Sequence, residues 1–279
     1  MKKRFYCLII CVLFFSACVR MQVTKKEDIE YSAQTKLTLN VFSPKKKDKE
    51  LKQVLVFVHG GNWANGDKSL YGFFGRGMAK KGIVAVVIDY RLYPSTTYDG
   101  MAMDVAQSVK WVKEHIASYG GNPDSIFISG HSAGAHLAAL IATDNSYFDS
   151  LEINNPIKGC ILIDAFGLDM YSYLKKEDKY KYDVYRSVFT KDTLNWKKGS
   201  PVYHLHEGMP PFQIFVGGKT YPNIREGSKS FLETLKKFQP DAVIIKVPRK
   251  RHVGMIFSYA NPRKKAYGQV LRFMKKAGR

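Results

Sequence analysis

The 279-residue sequence predicts an α/β protein built on a mostly parallel, doubly wound sheet with helices on both faces. Three observations lead there. Short, almost continuously apolar runs rich in β-branched residues, "QVLVFVHGG" and "GIVAVVIDY", read as strands covered on both sides. A helix-period segment follows, with Met101, Val105, Val109, Val112 and Ile116 recurring at three- and four-residue intervals. Runs of the two kinds then alternate to the C-terminus, as crossover connections between parallel strands require.

The elements follow in order. Leu37, Leu39 and Val41 alternate with polar residues, so "KLTLNVF" is a half-buried strand, and "SPKKKDKE" (Ser43 to Glu50) is a solvated turn. Leu70 to Lys81 is a helix between the two apolar strands. After the Met101 to Ile116 helix, "GGNPDSIFISG" turns back into a strand, and Ala133 to Thr143, rich in alanine and leucine, starts a helix at once. Strand "IKGCILID" leads into a tyrosine- and lysine-rich excursion, residues 170–199, read as a small cap-like insertion. It contains Tyr171, Tyr173, Tyr180, Tyr182, Tyr185 and Trp196. Strand "FQIFVGG", helix Ile224 to Phe238, strand "AVIIKV" and a helix near Pro262 to Lys276 close a single domain, residues 18–279.

The N-terminus has another character. "MKKR", the apolar run Phe5 to Phe15 and the small residues of "SAC" are the charged, greasy and small sections of a secretory signal, residues 1–17. Phe15-Ser16-Ala17-Cys18 resembles a bacterial lipobox, which implies a lipid on Cys18 and a cell-envelope lipoprotein held to the membrane, with a periplasmic or secreted protein as the alternative. Cys160 is then the only thiol of the folded body. It lies in an apolar strand and reads as a small buried hydrophobe. The formal charge of +20 drops to +17 without Lys2, Lys3 and Arg4. Its lysines are scattered in pairs with no recognition helix or aromatic platform, which argues against nucleic acid and for solubility or attraction to anionic head groups.

Chemistry concentrates in "ISGHSAGAHLAAL", where Ser132 sits between a predicted strand and a predicted helix with glycines at positions 130 and 134. That is the setting of a nucleophile elbow. A hydroxyl attacks only when a base takes its proton. His252, in "VPRKRHVGM" after the last predicted strand, is the candidate by chain order. His131 and His136 belong to the elbow and its helix, so neither faces the hydroxyl. His115 ends a helix, and His204 and His206 precede a proline-rich turn. "HGGNW" follows a buried strand directly, so the N–H groups of Gly60 and Gly61, with that of Ala133, are the candidate oxyanion donors, and His59 orients their loop. Asp89 reads as a loop brace and Asp67 as a helix-entry residue.

With "HGGNWANGDK", "DYRLYP", "GHSAGAHLAAL", "SPVYHL" and "RHVGM", the chain from Tyr31 onward resembles the esterase and lipase branch of the α/β-hydrolases. That branch includes hormone-sensitive-lipase-like, feruloyl and acetyl esterases and kynurenine formamidases. The resemblance implies the α/β-hydrolase fold, a serine carboxylesterase working through an acyl-enzyme on a small-molecule ester, and no metal or organic cofactor. Asn62 replaces the usual third glycine, Tyr93 stands where alanine is frequent, and Thr220 occupies the usual position of the acid. The acid is then sought one strand earlier, at Asp164, which ends "CILID", with Asp169 as the alternative and Glu226 a distant third. An amidase or formamidase stays open, as does a non-catalytic binding protein, for which Thr220 is the cue.

Overall fold

The computed structural model describes residues 22–45, 50–176 and 183–278. The expected leader, Cys18, Tyr180 and Tyr182 lie outside the described residues. Strand β1 (Val23–Ser32) was not foreseen, because its charged residues carry no alternating apolar pattern. It pairs antiparallel with β2 (Leu37–Pro44) at the sheet edge, where charge is tolerated and discourages further strand addition.

The remaining strands are β3 (Lys52–Val58), β4 (Val84–Ile88), β5 (Gly121–His131), β6 (Ile157–Ile163), β7 (Phe212–Gly217) and β8 (Ile244–Val247). The sheet runs β1-β2-β4-β3-β5-β6-β7-β8, parallel from β4 onward. Pleating sends alternate residues to opposite faces. Val54, Val56 and Val58 therefore join Val84, Val86, Ile126 and Leu162 in one core, while Leu55 and Phe57 join Ala85, Val87, Phe127 and Ile163 in the other. Both cores are apolar, which is why these strands read as apolar runs.

Helices α1 (Gly72–Ala79), α2 (Tyr98–His115), α3 (Ala133–Thr143) and α4 (Ser146–Asp149) fill the crossovers of the first half. The excursion after β6 holds α5 (Met170–Lys176), α6 (Asp183–Val188) and α7 (Thr193–Lys198). The chain ends with α8 (Pro222–Leu235), α9 (His252–Ile256) and α10 (Lys265–Ala277). Apolar residues of α2, α3 and α8 cover the first face, and those of α1, α9 and α10 the second. A fork from Arg91 to the fully buried Asp104, with Nη2 to Oδ1 at 2.7 Å, fastens the loop after β4 to α2. No helix among the described residues is long and apolar enough to cross a membrane.

Sheet order dictates what meets at the carboxyl edge, where open α/β sheets gather their ligands. The segments leaving β3, β5, β6, β7 and β8 carry Gly60, Ser132, Asp164, Thr220 and His252 respectively.

Candidate active site

Strand β5 passes into α3 through a single residue, Ser132, at φ 56° and ψ −123°. Such a left-handed backbone is strained for a residue with a side chain and persists only where the surroundings impose it. Close approach imposes it here. A Cβ at Gly134 would overlap the carbonyl oxygens of Val58 and His59, and one at Gly130 would overlap the Gly134 backbone. With both positions bare, α3 packs directly on β3 and Ser132 projects at the crest of the turn.

His252 Nε2 lies 2.9 Å from Ser132 Oγ, and His252 Nδ1 lies 2.7 Å from Asp164 Oδ2. The histidine is the first residue of α9, a short helix where the sequence suggested only a loop. Asp164 follows β6 at φ 52° and is wholly buried. A buried carboxylate needs partners. The Gly217 N–H donates to Oδ1 at 2.8 Å, and the Thr220 hydroxyl donates to Oδ2. Thr220 thus supports the carboxylate from the position where the resembling enzymes carry one.

The structure does not bring Asp169 to His252. Its Oδ1 instead accepts the Ser172 N–H at 2.9 Å, holding the first turn of α5 as a cap does. Glu226 is exposed on α8.

The expected oxyanion donors differ in their partners. The Gly60 N–H donates to Tyr71 Oη at 3.3 Å. Gly61 N–H has no acceptor among the described residues, and Ala133, as the first residue of α3, has none within its helix. Because Tyr71 Oη accepts from Gly60, its own proton is free to point into the cleft. Burial pushes that phenol above its ordinary range, so it remains a donor. Sequence gave no signal for Tyr71, which reaches Gly60 from the turn before α1.

Other histidines hold neighbouring backbone and rings. His59 Nδ1 lies 3.0 Å from Gly60 O, its ring stacks on Tyr90, and burial lowers its pKa. His131 stacks on His252 with ring centres 4.6 Å apart, and its Nε2 lies 3.2 Å from His252 O. Burial, reinforced by the charge of His252, lowers its pKa to about 4, so a neutral ring donates that bond. His136 is fully buried. Its Nδ1 accepts from Trp63 Nε1 at 3.2 Å, which leaves the proton on Nε2 for Gly199 O at 2.6 Å. This imidazole ties the HGGNW loop to the elbow helix and to the end of the 170–199 excursion. His115 faces Trp111 O, and His204 faces Lys198 O, both away from Ser132. Asp89 holds Lys68 and Asp67 caps the turn after it, as expected.

Ser132, His131 and His252 open into a cleft of about 960 Å³. Its walls come from the Gly60–Gly66 loop, Leu70 to Phe73, Phe166, the excursion residues Tyr173 and Tyr185, the Tyr221–Ile224 turn and α9. No Lys, Arg, Asp or Glu lines it among the described residues.

A model of the BD-FAE family matches residues 39–234, from β2 to α8 and including Ser132 and Asp164 but not His252. A probable isoprenylcysteine alpha-carbonyl methylesterase, ICMEL1 of Arabidopsis thaliana, is 31% identical over 256 residues, covering 87% of this chain and 52% of that protein. Esterase LipQ of Mycobacterium tuberculosis is 33% identical over 183 residues, covering 60% of this chain and 41% of that protein. The chain thus spans about half the length of these curated relatives. Among solved structures, esterase B of Lactobacillus rhamnosis superposes with a TM-score of 0.76 at 20% identity, over 92% of this chain and 86% of that one. Esterase 2 of Thermogutta terrifontis gives 0.68 at 22%, over 92% and 91%. These likenesses establish the α/β-hydrolase fold, and the family match, which spans the elbow and most of the sheet, makes this chain a member of the BD-FAE family.

Proposed function

We propose that the protein is a serine hydrolase that cleaves carboxylic esters through an acyl-enzyme, with Ser132 as nucleophile, His252 as base and Asp164 as the acid that orients it. The observation that carries this reading is the unbroken contact from Asp164 Oδ2 through the imidazole to Ser132 Oγ, at 2.7 Å and 2.9 Å. Ser132 Oγ attacks the ester carbonyl as its proton passes to His252 Nε2. The oxyanion meets the N–H groups of Gly61 and Ala133 and the Tyr71 hydroxyl. His252 returns the proton to the departing alkoxide, and a water deprotonated by the same nitrogen releases the acid. No step calls on a metal or organic cofactor.

Uncharged walls favour a neutral ester with an apolar body. Relatives named as methylesterases of an isoprenylcysteine carbonyl agree with a small alcohol and a greasy acyl side. Residues 170–199 act as the cap, with Tyr173 and Tyr185 facing the acyl group. The test is hydrolysis of short p-nitrophenyl esters beside the matching anilides, with fluorophosphonate labelling. Ester turnover and a label at Ser132, both lost in Ser132→Ala, are expected. Faster anilide cleavage assigns an amidase, and absence of both turnover and label removes the hydrolase reading.

Residues 1–17 act as an export leader, with Cys18 lipidated and the protein held at the cell envelope. Support comes from the charged, apolar and small-residue order of the segment. Metabolic labelling with a fatty acid, abolished by Cys18→Ser, is the expected result.

A further inference from the structure

The mouth of the cleft is apolar at its rim and basic along one side. Leu70 (64% exposed), Tyr221 (59%), Val253 (58%) and Phe257 (59%) are large side chains left in water, and all four line this one opening. Phe73 stacks on Phe257 with ring centres 5.9 Å apart and extends the strip. Exposed apolar residues scattered singly are ordinary, whereas a cluster around a cleft marks an interaction surface.

Charge is segregated as well. The two segments bordering Tyr221 and Val253, residues 217–225 and 246–257, contain Lys219, Arg225, Lys246, Arg249, Lys250 and Arg251 and no carboxylate. Bonds from Gly218 N–H to Val247 O and from Lys219 N–H to Lys250 O, each 2.8 Å, hold the segments side by side. Carboxylates near Leu70 are committed locally: Asp67 accepts the Ser69 N–H, and Asp28 and Asp89 both pair with Lys68.

We propose that this face docks on an anionic lipid bilayer, the apolar strip entering the interfacial layer while the cations meet head groups. Charge complementarity selects this occupant. A bilayer offers greasy depth beside diffuse negative charge, and each cation brought to it raises affinity about fivefold. The cleft then opens onto the membrane, and esters dissolved there reach Ser132 without crossing water. Docking stands apart from the esterase reading and from a lipid on Cys18, which tethers the chain without choosing a face.

The test is amide hydrogen exchange of the full-length protein on vesicles of equal parts phosphatidylglycerol and phosphatidylcholine, compared with pure phosphatidylcholine. Peptides covering residues 68–73 and 246–257 are expected to exchange about tenfold more slowly on the anionic vesicles, and added salt to reverse this. The double variant Lys219→Glu/Arg249→Glu is expected to lose that protection while hydrolysing a soluble short ester as the parent does. Equal exchange on both vesicles, or unchanged protection in the variant, overturns the proposal. Protection that instead grows with protein concentration in the absence of vesicles assigns the strip to a second copy of the chain and overturns it too.

Discussion

Thr220 and His252 converge on one atom: the threonine hydroxyl donates to Asp164 Oδ2, the same oxygen that lies 2.7 Å from His252 Nδ1. Thr220 is thus a positioning residue, holding the carboxylate that holds the imidazole. Thr220→Val is expected to lower kcat about tenfold with KM nearly unchanged, since the hydroxyl touches no substrate. Thr220→Ser, which keeps the donor, is expected to restore most of it. A loss of the same size in both variants, or one confined to KM, contradicts the role.

Asp164 and Asp169 are separated by kinetics. Asp164→Asn is expected to cost about four orders of magnitude in kcat, the penalty for leaving the imidazole in the wrong tautomer. Asp169→Ala is expected to keep kcat within about twofold and to lower stability by about 1 kcal/mol, the worth of a helix cap. Steady-state rates and denaturant titrations on the two proteins read both quantities.

Tyr71 carries a prediction about the oxyanion. Its hydroxyl accepts the Gly60 N–H and retains a proton to give. Tyr71→Phe is expected to lower kcat by about ten- to hundredfold, with fluorophosphonate labelling of Ser132 slowed in parallel. A rate equal to the parent's leaves the oxyanion to backbone N–H groups alone.

His136 predicts how stability depends on pH. Burial lowers its pKa to about 4, so the folded protein binds this proton less readily than the unfolded chain, whose histidines titrate near 6.5. The stability it lends is complete above pH 6.5 and is lost as the pH falls toward about 4, to a total of about 3 kcal/mol. His136→Gln removes that titration. Its unfolding free energy is expected to fall less steeply than the parent's across the window, as measured by urea titration at successive pH values.

Legibility in the sequence followed solvent exposure and chain distance. Strands β3 to β6 announced themselves because apolar cores on both faces favour apolar residues along their centres. Strand β1 did not, because an edge strand with charged residues looks like a loop until its partner is known. The meeting of Ser132 with His252 was readable from motif and order. Which aspartate meets His252 was not, since Asp164 and Asp169 follow the same strand five residues apart. They are distinguished by backbone direction at φ 52° and by the Gly217 N–H across the β6–β7 ladder, both products of tertiary pairing. Tyr71 and the Trp63–His136–Gly199 chain were invisible for the same reason, because each joins segments that only folding brings together.

Because Asp164 follows the strand adjoining that of Ser132, the β7–α8 turn supplies no carboxylate to His252. Tyr221 to Ile224 form a wall, and the hydroxyl at residue 220 reaches only Asp164. A graft of this turn that keeps threonine or serine there would reshape selectivity with the proton path intact, a modularity denied to hydrolases whose acid resides in the graft itself.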